Sequence, residues 1–157
     1  MNFNMKDQDV VPLVEHSIEM NMSYAVENKV QLVLDKKTDS AIVNTDFDRM
    51  QQVLANLISN AAKFSPENET VTVLVKIVKD RVRVEVIDNG PGISEKFRSQ
   101  LFEKFAQEDG SNTRSKKGTG LGLAISRELM QRMDGEIGCD SSSDKGSTFW
   151  IELPLSE

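Results

Sequence analysis

Apolar residues recur at helical spacing most plainly at Met50, Val53, Leu54, Leu57, Ile58 and Ala61. They mark a helix with one apolar face. Thr45 with Asp48 three residues later resembles a capping box, and Asp46 suits the first turn. Ser65-Pro66 ends the helix. A less regular set, Leu13, Ile18, Met20, Met22 and Ala25, predicts a helix over 12–28 with Pro12 in its first turn. A third helix is predicted over 120–133, closed by Asp134-Gly135. Period-two runs of β-branched residues over 70–78 and 82–87 flank Lys79-Asp80 and predict a hairpin. Shorter strands are predicted over 31–35, 41–43, 136–139 and 148–153. Residues 94–117 are mostly irregular, with short helical pieces over 94–99 and 101–105. Within that stretch, 106–117 is polar and has no apolar anchor, which suits a mobile lid. This order predicts an α+β fold: a two-layer sandwich whose mixed, mainly antiparallel sheet is covered on one face by three main helices. Residues 1–9 read as a loose polar tail and 10–157 as one domain.

Composition narrows the class. A chain of 157 residues with 38% hydrophobic and 28% charged residues suits one soluble domain. The formal net charge of -6 argues against nucleic acid as the main partner. A local pocket of donors can still bind phosphate inside an acidic protein. Cys139 is the single cysteine, so a structural disulfide or thiolate metal cage is excluded and a reducing compartment fits. No apolar run approaches the ~18–20 residues that span a bilayer.

Three stretches carry chemistry. Asn56, Asn60 and Lys63 fall at i, i+4 and i+7, on one helix face away from the leucines. Amide oxygens are hard ligands suited to magnesium, and a lysine ammonium reaches phosphate. The same stripe also reads as an ordinary solvated helix face. Asp88 ends an apolar strand and is followed by Asn-Gly90-Pro-Gly92. Its carboxylate accepts hydrogen bonds only, which suits an exocyclic amine such as that of adenine. A tight turn with Asx bonding is the plainer reading there. Gly118, Gly120 and Gly122 open a helix, where bare backbone N–H groups favour anions. Neither a Walker A loop nor a dinucleotide fingerprint fits them. The conjunction of the three, in this order, says more than any one of them.

With these motifs the chain resembles the catalytic, ATP-binding domain of sensor histidine kinases, in the group that includes gyrase B, Hsp90 and MutL. Asn56–Phe64 matches the N box, Asp88–Gly92 the G1 box, Phe102–Phe105 the F box and Gly118–Leu123 the G2 box. Gly146-Ser-Thr148 matches the closing glycine turn. The match runs from about residue 10 to residue 155 and is nearest the hybrid and phytochrome-like branch. Lys117 departs from that branch, which usually has glycine there.

The resemblance implies a Bergerat-type fold with ATP and Mg2+ as ligands. It implies that Asn60 ligates magnesium with Asn56 assisting, and that Lys63 meets the phosphates. It implies that Asp88 bonds the adenine amine, with Gly90, Gly92 and Ile93 shaping the base pocket and Thr148 joining the hydrogen-bond shell beneath it. Phe102 and Phe105 would anchor the lid. Gly118, Thr119, Gly120, Leu121 and Gly122 would line the phosphates. Asn56 stands where the related ATPases carry a glutamate base, so phosphoryl transfer to a histidine is implied over hydrolysis. The implied partners are a histidine-bearing dimerisation hairpin and, indirectly, a response-regulator receiver domain. The domain would be monomeric, without nucleic acid, and cytoplasmic or the cytoplasmic portion of a membrane-bound sensor. His16, the only histidine, lacks the acceptor context and reads as an ordinary helix residue. A nucleotide-sensing module without catalysis is the alternative. Trp150 falls on the strand face opposite Phe149, where it is expected to be exposed.

Overall fold

The computed structural model describes residues 2–90, 102, 122–141 and 146–156. Its elements run β1 (Lys6–Asp9), α1 (Val10–Glu27), β2 (Gln31–Lys36), β3 (Ile42–Thr45), α2 (Phe47–Phe64), β4 (Thr70–Val78), β5 (Arg81–Asp88), α3 (Gly122–Arg132), β6 (Glu136–Ser141) and β7 (Ser147–Pro154). The main sheet has the order β2-β4-β5-β7-β6. Only β2 and β4 run parallel; the other pairs are antiparallel. A parallel pair needs a long crossover, and the segment from β3 through α2 supplies it. The short helical pieces expected over 94–99 and 101–105, and the lid over 106–117, lie outside the described residues.

Alternation decides which sheet face is buried. Val82, Val84 and Val86 of β5 and Phe149, Ile151 and Leu153 of β7 point to one side and are buried. The valines Val71, Val73 and Val75 of β4 join them. Against this face α2 lays Met50, Val53, Leu54, Leu57 and Ile58, α1 lays Val10 and Val14, and α3 lays Leu129 and Met130, all buried. Each such side chain contributes about 1.5–3 kcal/mol relative to exposure. The two-layer architecture read from the sequence is therefore the one observed. The hairpin turn is also as expected: Val78 pairs with Arg81 across Lys79-Asp80, and Lys79 takes a positive φ of 59°.

The amino-terminal stretch departs from expectation. Residues 1–9 read as a loose tail, yet Lys6–Asp9 pairs antiparallel with β3 in a separate two-stranded sheet. Side chains fix this pairing. Asn44 Nδ2 donates to Asp7 Oδ1 at 3.0 Å and Gln8 Nε2 to the Thr45 carbonyl at 2.8 Å. On the other side of β3, the Ser156 N–H donates to the Ile42 carbonyl at 2.8 Å.

The start of α2 also differs by one residue. Asp46, not Thr45, is the N-cap: its Oδ1 accepts from the Arg49 N–H at 3.0 Å. Its Oδ2 accepts from the Asn4 N–H at 2.6 Å, so the cap also holds the amino-terminal segment. Thr45 is buried and donates to Met133 Sδ at 3.2 Å. Burial pushes the Asp46 carboxyl up, but the Asn4 and Arg49 N–H groups and the Arg49 charge outweigh it and hold it below the usual carboxylate value of 3.8. A lowered folded value means the stabilisation is present above 3.8 and is lost as pH falls through the folded value. Asp46→Ala is expected to cost about 1 kcal/mol at neutral pH. Chemical denaturation should find that difference shrinking in acid.

The outer sheet face closes over Trp150. Instead of standing exposed, Trp150 is half-buried and lies across Gly138, where a Cβ would come within 2.2 Å of its ring. The Arg83 guanidinium covers it at 4.3 Å from the ring centroid. Glu85, Glu152 and Asp140 hold Arg83 at 2.7, 2.8 and 3.3 Å.

Candidate functional site

Helix α2 carries the first part of the site because its apolar stripe fixes its rotation. With Leu54, Leu57 and Ile58 in the core, Asn56, Asn60 and Lys63 share its flank and are half-buried. Asn56 and Asn60 are one turn apart, about 6 Å of rise. The Asn56 amide nitrogen donates to the Gly122 carbonyl at 3.2 Å and to Ser126 Oγ at 3.0 Å. Gly122, the first residue of α3, is thereby joined to α2. A Cβ on Gly122 would lie 3.6–3.8 Å from the Asn56 amide, which is ordinary contact. Space therefore does not demand glycine at this position. Lys63 Nζ sits 5.7 Å from the Phe64 ring centroid. Among the described residues it forms no ion pair.

The second part stands at the end of β5. Asp88 is buried at 5% exposure, on the helix-covered side of the sheet. Its Oδ1 accepts from the Gly90 N–H at 2.8 Å, and its carboxylate also accepts from the Ser147 N–H. Burial pushes the Asp88 carboxyl above the usual carboxylate value, and the two N–H bonds offset only part of the rise. Two glycines make this corner sterically feasible. A Cβ on Gly90 would lie 2.5 Å from the Phe64 carbonyl oxygen. Gly146 has φ 81°, and a Cβ there would lie 2.2 Å from the Asp88 carbonyl oxygen. The Gly90 contact brings the carboxyl end of α2 against the Asp88 corner. The α2 flank that carries Asn56, Asn60 and Lys63 thus meets Gly122 of α3 at Asn56, and the helix meets the Asp88 corner at its carboxyl end.

One predicted residue is misplaced. Thr148 pairs with Ile87 and Asp140 and lies with Trp150 on the outer face of the sheet. Asp88 lies on the inner face, so Thr148 does not stand beneath it. Ser147, buried at 6%, is the register partner of Asp88. The alternation that sends Phe149 inward also sends Ser147 inward, so the signal was present in the strand. The Phe64 ring, at the end of α2, is exposed beside Lys63. Phe102 packs edge-on against Phe149, with centroids 6.5 Å apart. Gly92, Ile93, Phe105, Gly118, Thr119, Gly120 and Leu121 lie outside the described residues.

The donor set decides which cation could sit here. Among the described residues no group of three or more His, Cys, Asp or Glu side chains is placed to hold a metal ion. Two amide oxygens on one helix flank instead suit a hard cation that takes its remaining ligands from phosphate and water, as Mg2+ does. Lys63, without a carboxylate partner among the described residues, suits the anion. The residues present fit a magnesium nucleotide.

Residues 45–157 match the family described as histidine kinase-, DNA gyrase B-, and HSP90-like ATPase. The chain belongs to this family. The sensor protein GacS of Pseudomonas syringae is 35% identical over 161 residues, which cover 98% of this chain and 17% of GacS. The signal transduction histidine-protein kinase BarA of Escherichia coli K12 is 37% identical over 153 residues, covering 94% of this chain and 16% of BarA. The chain thus spans about a sixth of the length of these relatives. Full-length ShkA, solved in complex with AMPPNP, superposes with a TM-score of 0.86 at 29% identity, over 99% of this chain and 32% of ShkA. Membership of the histidine kinase-, gyrase- and Hsp90-like family implies binding of ATP and Mg2+. Among the described residues no helix is long and apolar enough to cross a membrane.

Proposed function

We propose that this chain is the ATP-binding catalytic domain of a sensor protein-histidine kinase, which passes the γ-phosphate of ATP to a histidine on a separate helical hairpin. The observation that carries this reading is the pairing of two unlike ends of one region. At one end is a buried carboxylate, Asp88, that can only accept when ionised. At the other are two amides and an ammonium, Asn56, Asn60 and Lys63. Adenine presents an amine and triphosphate presents anionic oxygen, so the polarity of the region matches ATP from end to end. The likeness to GacS and BarA over nearly the whole chain supports the kinase assignment.

In this reading Asp88 accepts from the adenine amine, with Gly90 and the Ser147 N–H fixing the carboxylate. Lys63 binds phosphate oxygen. Asn56 and Asn60 hold the magnesium ion, and the glycine run Gly118–Gly122 lines the phosphates. Bound magnesium would neutralise charge on the phosphate oxygens. The acceptor imidazole nitrogen forms the new bond to γ-phosphorus, the bond to the β,γ-bridging oxygen breaks, and ADP leaves with that electron pair. A downstream response-regulator receiver and a cytoplasmic setting belong to the same proposal. Isothermal titration with ATP, GTP and magnesium tests the binding half. Magnesium should strengthen ATP binding, and Lys63→Ala should weaken ATP more than adenosine. Equal affinity for ATP and GTP would overturn the role given to Asp88.

A further inference from the structure

The orientation of the Asn56 amide is not free. Its nitrogen lies 3.2 Å from the Gly122 carbonyl oxygen and 3.0 Å from Ser126 Oγ. A carbonyl oxygen only accepts, so the amide nitrogen, not the amide oxygen, must face Gly122. The Ser126 hydroxyl could either give or take, and with the nitrogen so assigned its oxygen accepts. Both amide protons of Asn56 are then held by the first turn of α3. The amide oxygen is left over, and no donor among the described residues is bonded to it.

Ser126 is unusual in its surroundings. It is 0% exposed, on a helix whose other buried side chains are Leu129 and Met130. A buried hydroxyl is costly unless bonded, and alanine would fill the position with better helix propensity. A hydroxyl there is explained by what it does to Asn56. We propose that Ser126 is a positioning residue: it holds the Asn56 amide so that Oδ1 is presented to the magnesium ion of the bound nucleotide. This rests on the reading of Asn56 as a magnesium ligand.

The placement also links two parts of the site. The two acceptors of Asn56 are the first and fifth residues of α3, and the first of them, Gly122, is the last residue of the glycine run. The metal ligand is thereby set only when that turn of α3 is formed. Partners that orient metal ligands typically matter at the level of tenfold or more in metal affinity.

The test uses ADP, so that turnover plays no part. Affinity is measured by calorimetry with and without Mg2+ for the wild type, Ser126→Ala, Asn56→Ala and the double variant. The ratio of the two affinities is the magnesium gain. Ser126→Ala is expected to lower that gain by about tenfold. It should leave the magnesium-free affinity and the melting temperature near wild type. The double variant should be no worse than Asn56→Ala alone, because both act through one oxygen. Ser126→Cys keeps a side chain of similar shape with a far weaker acceptor and should behave like Ser126→Ala; it stands in if the alanine variant folds poorly. An unchanged gain in Ser126→Ala beside a reduced gain in Asn56→Ala would overturn the positioning role and leave the magnesium reading standing. An unchanged gain in both would overturn the magnesium reading of Asn56 and this inference with it. Equal losses with and without magnesium in Ser126→Ala would make the residue merely structural.

Discussion

Asp88→Ala is expected to weaken ATP binding by about 1–3 kcal/mol, roughly five- to 150-fold, because it strands the adenine amine without its acceptor. The variant should still fold. Asp88 stands at the last position of β5, at the end of its buried row, and its carboxylate is held by the N–H groups of Gly90 and Ser147. The pH dependence sharpens the test. Burial raises the Asp88 carboxyl above 3.8, so it gains a proton before ordinary carboxylates do as pH falls. A protonated Asp88 turns an O–H toward a donor amine and loses the interaction. ATP affinity should therefore fall on acidification at a pH above the ordinary carboxylate range. Titration calorimetry across that range checks it. Asp88→Asn should remove this component, and comparing the two proteins separates it from the nucleotide's own titration. For folding the sign is opposite to that of Asp46. A raised folded value favours the fold below 3.8, and that contribution is lost as pH rises through the folded value. Asp88 therefore weakens the fold at neutral pH, the usual cost of a buried charge. Identical pH profiles for the wild type and Asp88→Asn would remove Asp88 from the base-reading role.

What could be read in advance follows from how far each signal extends. The face of α2 is repeated over five turns, so Leu54, Leu57 and Ile58 fix its rotation, and the flank bearing Asn56, Asn60 and Lys63 follows from them. The β4–β5 hairpin alternates over its whole length, so Asp88 could be placed at its end. Strand β1 has no such signal. Lys6–Asp9 is uniformly polar, and its pairing depends on backbone bonds and side chains of β3 nearly forty residues away. The N-cap of α2 was ambiguous because Thr45 and Asp46 are both good caps; the Asn4 N–H on Asp46 and the sulfur partner of Thr45 decide it. Thr148 was a matter of parity, since one residue reverses the face of a strand. Trp150 could be assigned to the outer face but not to its cover, because Gly138 and Arg83 reach it from two other strands. Ser126 is a single small polar residue within an apolar helix face, and only its distance to Asn56 gives it meaning.

Incubated alone with magnesium and ATP, this chain is expected to acquire no phosphohistidine and to hydrolyse ATP slowly. His16 is its only histidine, and it is exposed on α1 with its ring against Phe47, centroids 5.3 Å apart. Phe47 begins α2, and Asn56 and Asn60 lie nine and thirteen residues further along it, about 14 and 20 Å by helix rise. A nucleophile must come within about 3–3.5 Å of the phosphorus it attacks. His16 is therefore too far from the candidate site to serve, and the helix that separates them is packed into the core. Water is no better supplied. Asn56 has no basic oxygen at neutral pH, and its nitrogen is already committed to α3. On the proposed reading, what this chain lacks is a placed nucleophile. Adding a parent hairpin that bears the acceptor histidine should restore transfer. Tethering it should restore more, since a short linker raises its effective concentration to roughly the millimolar range. Acid-labile phosphate on the chain alone, compared between the wild type and His16→Ala, is the measurement. Strong labelling of the wild type that vanishes in His16→Ala would make His16 the acceptor and would require a second molecule to bring it to the site.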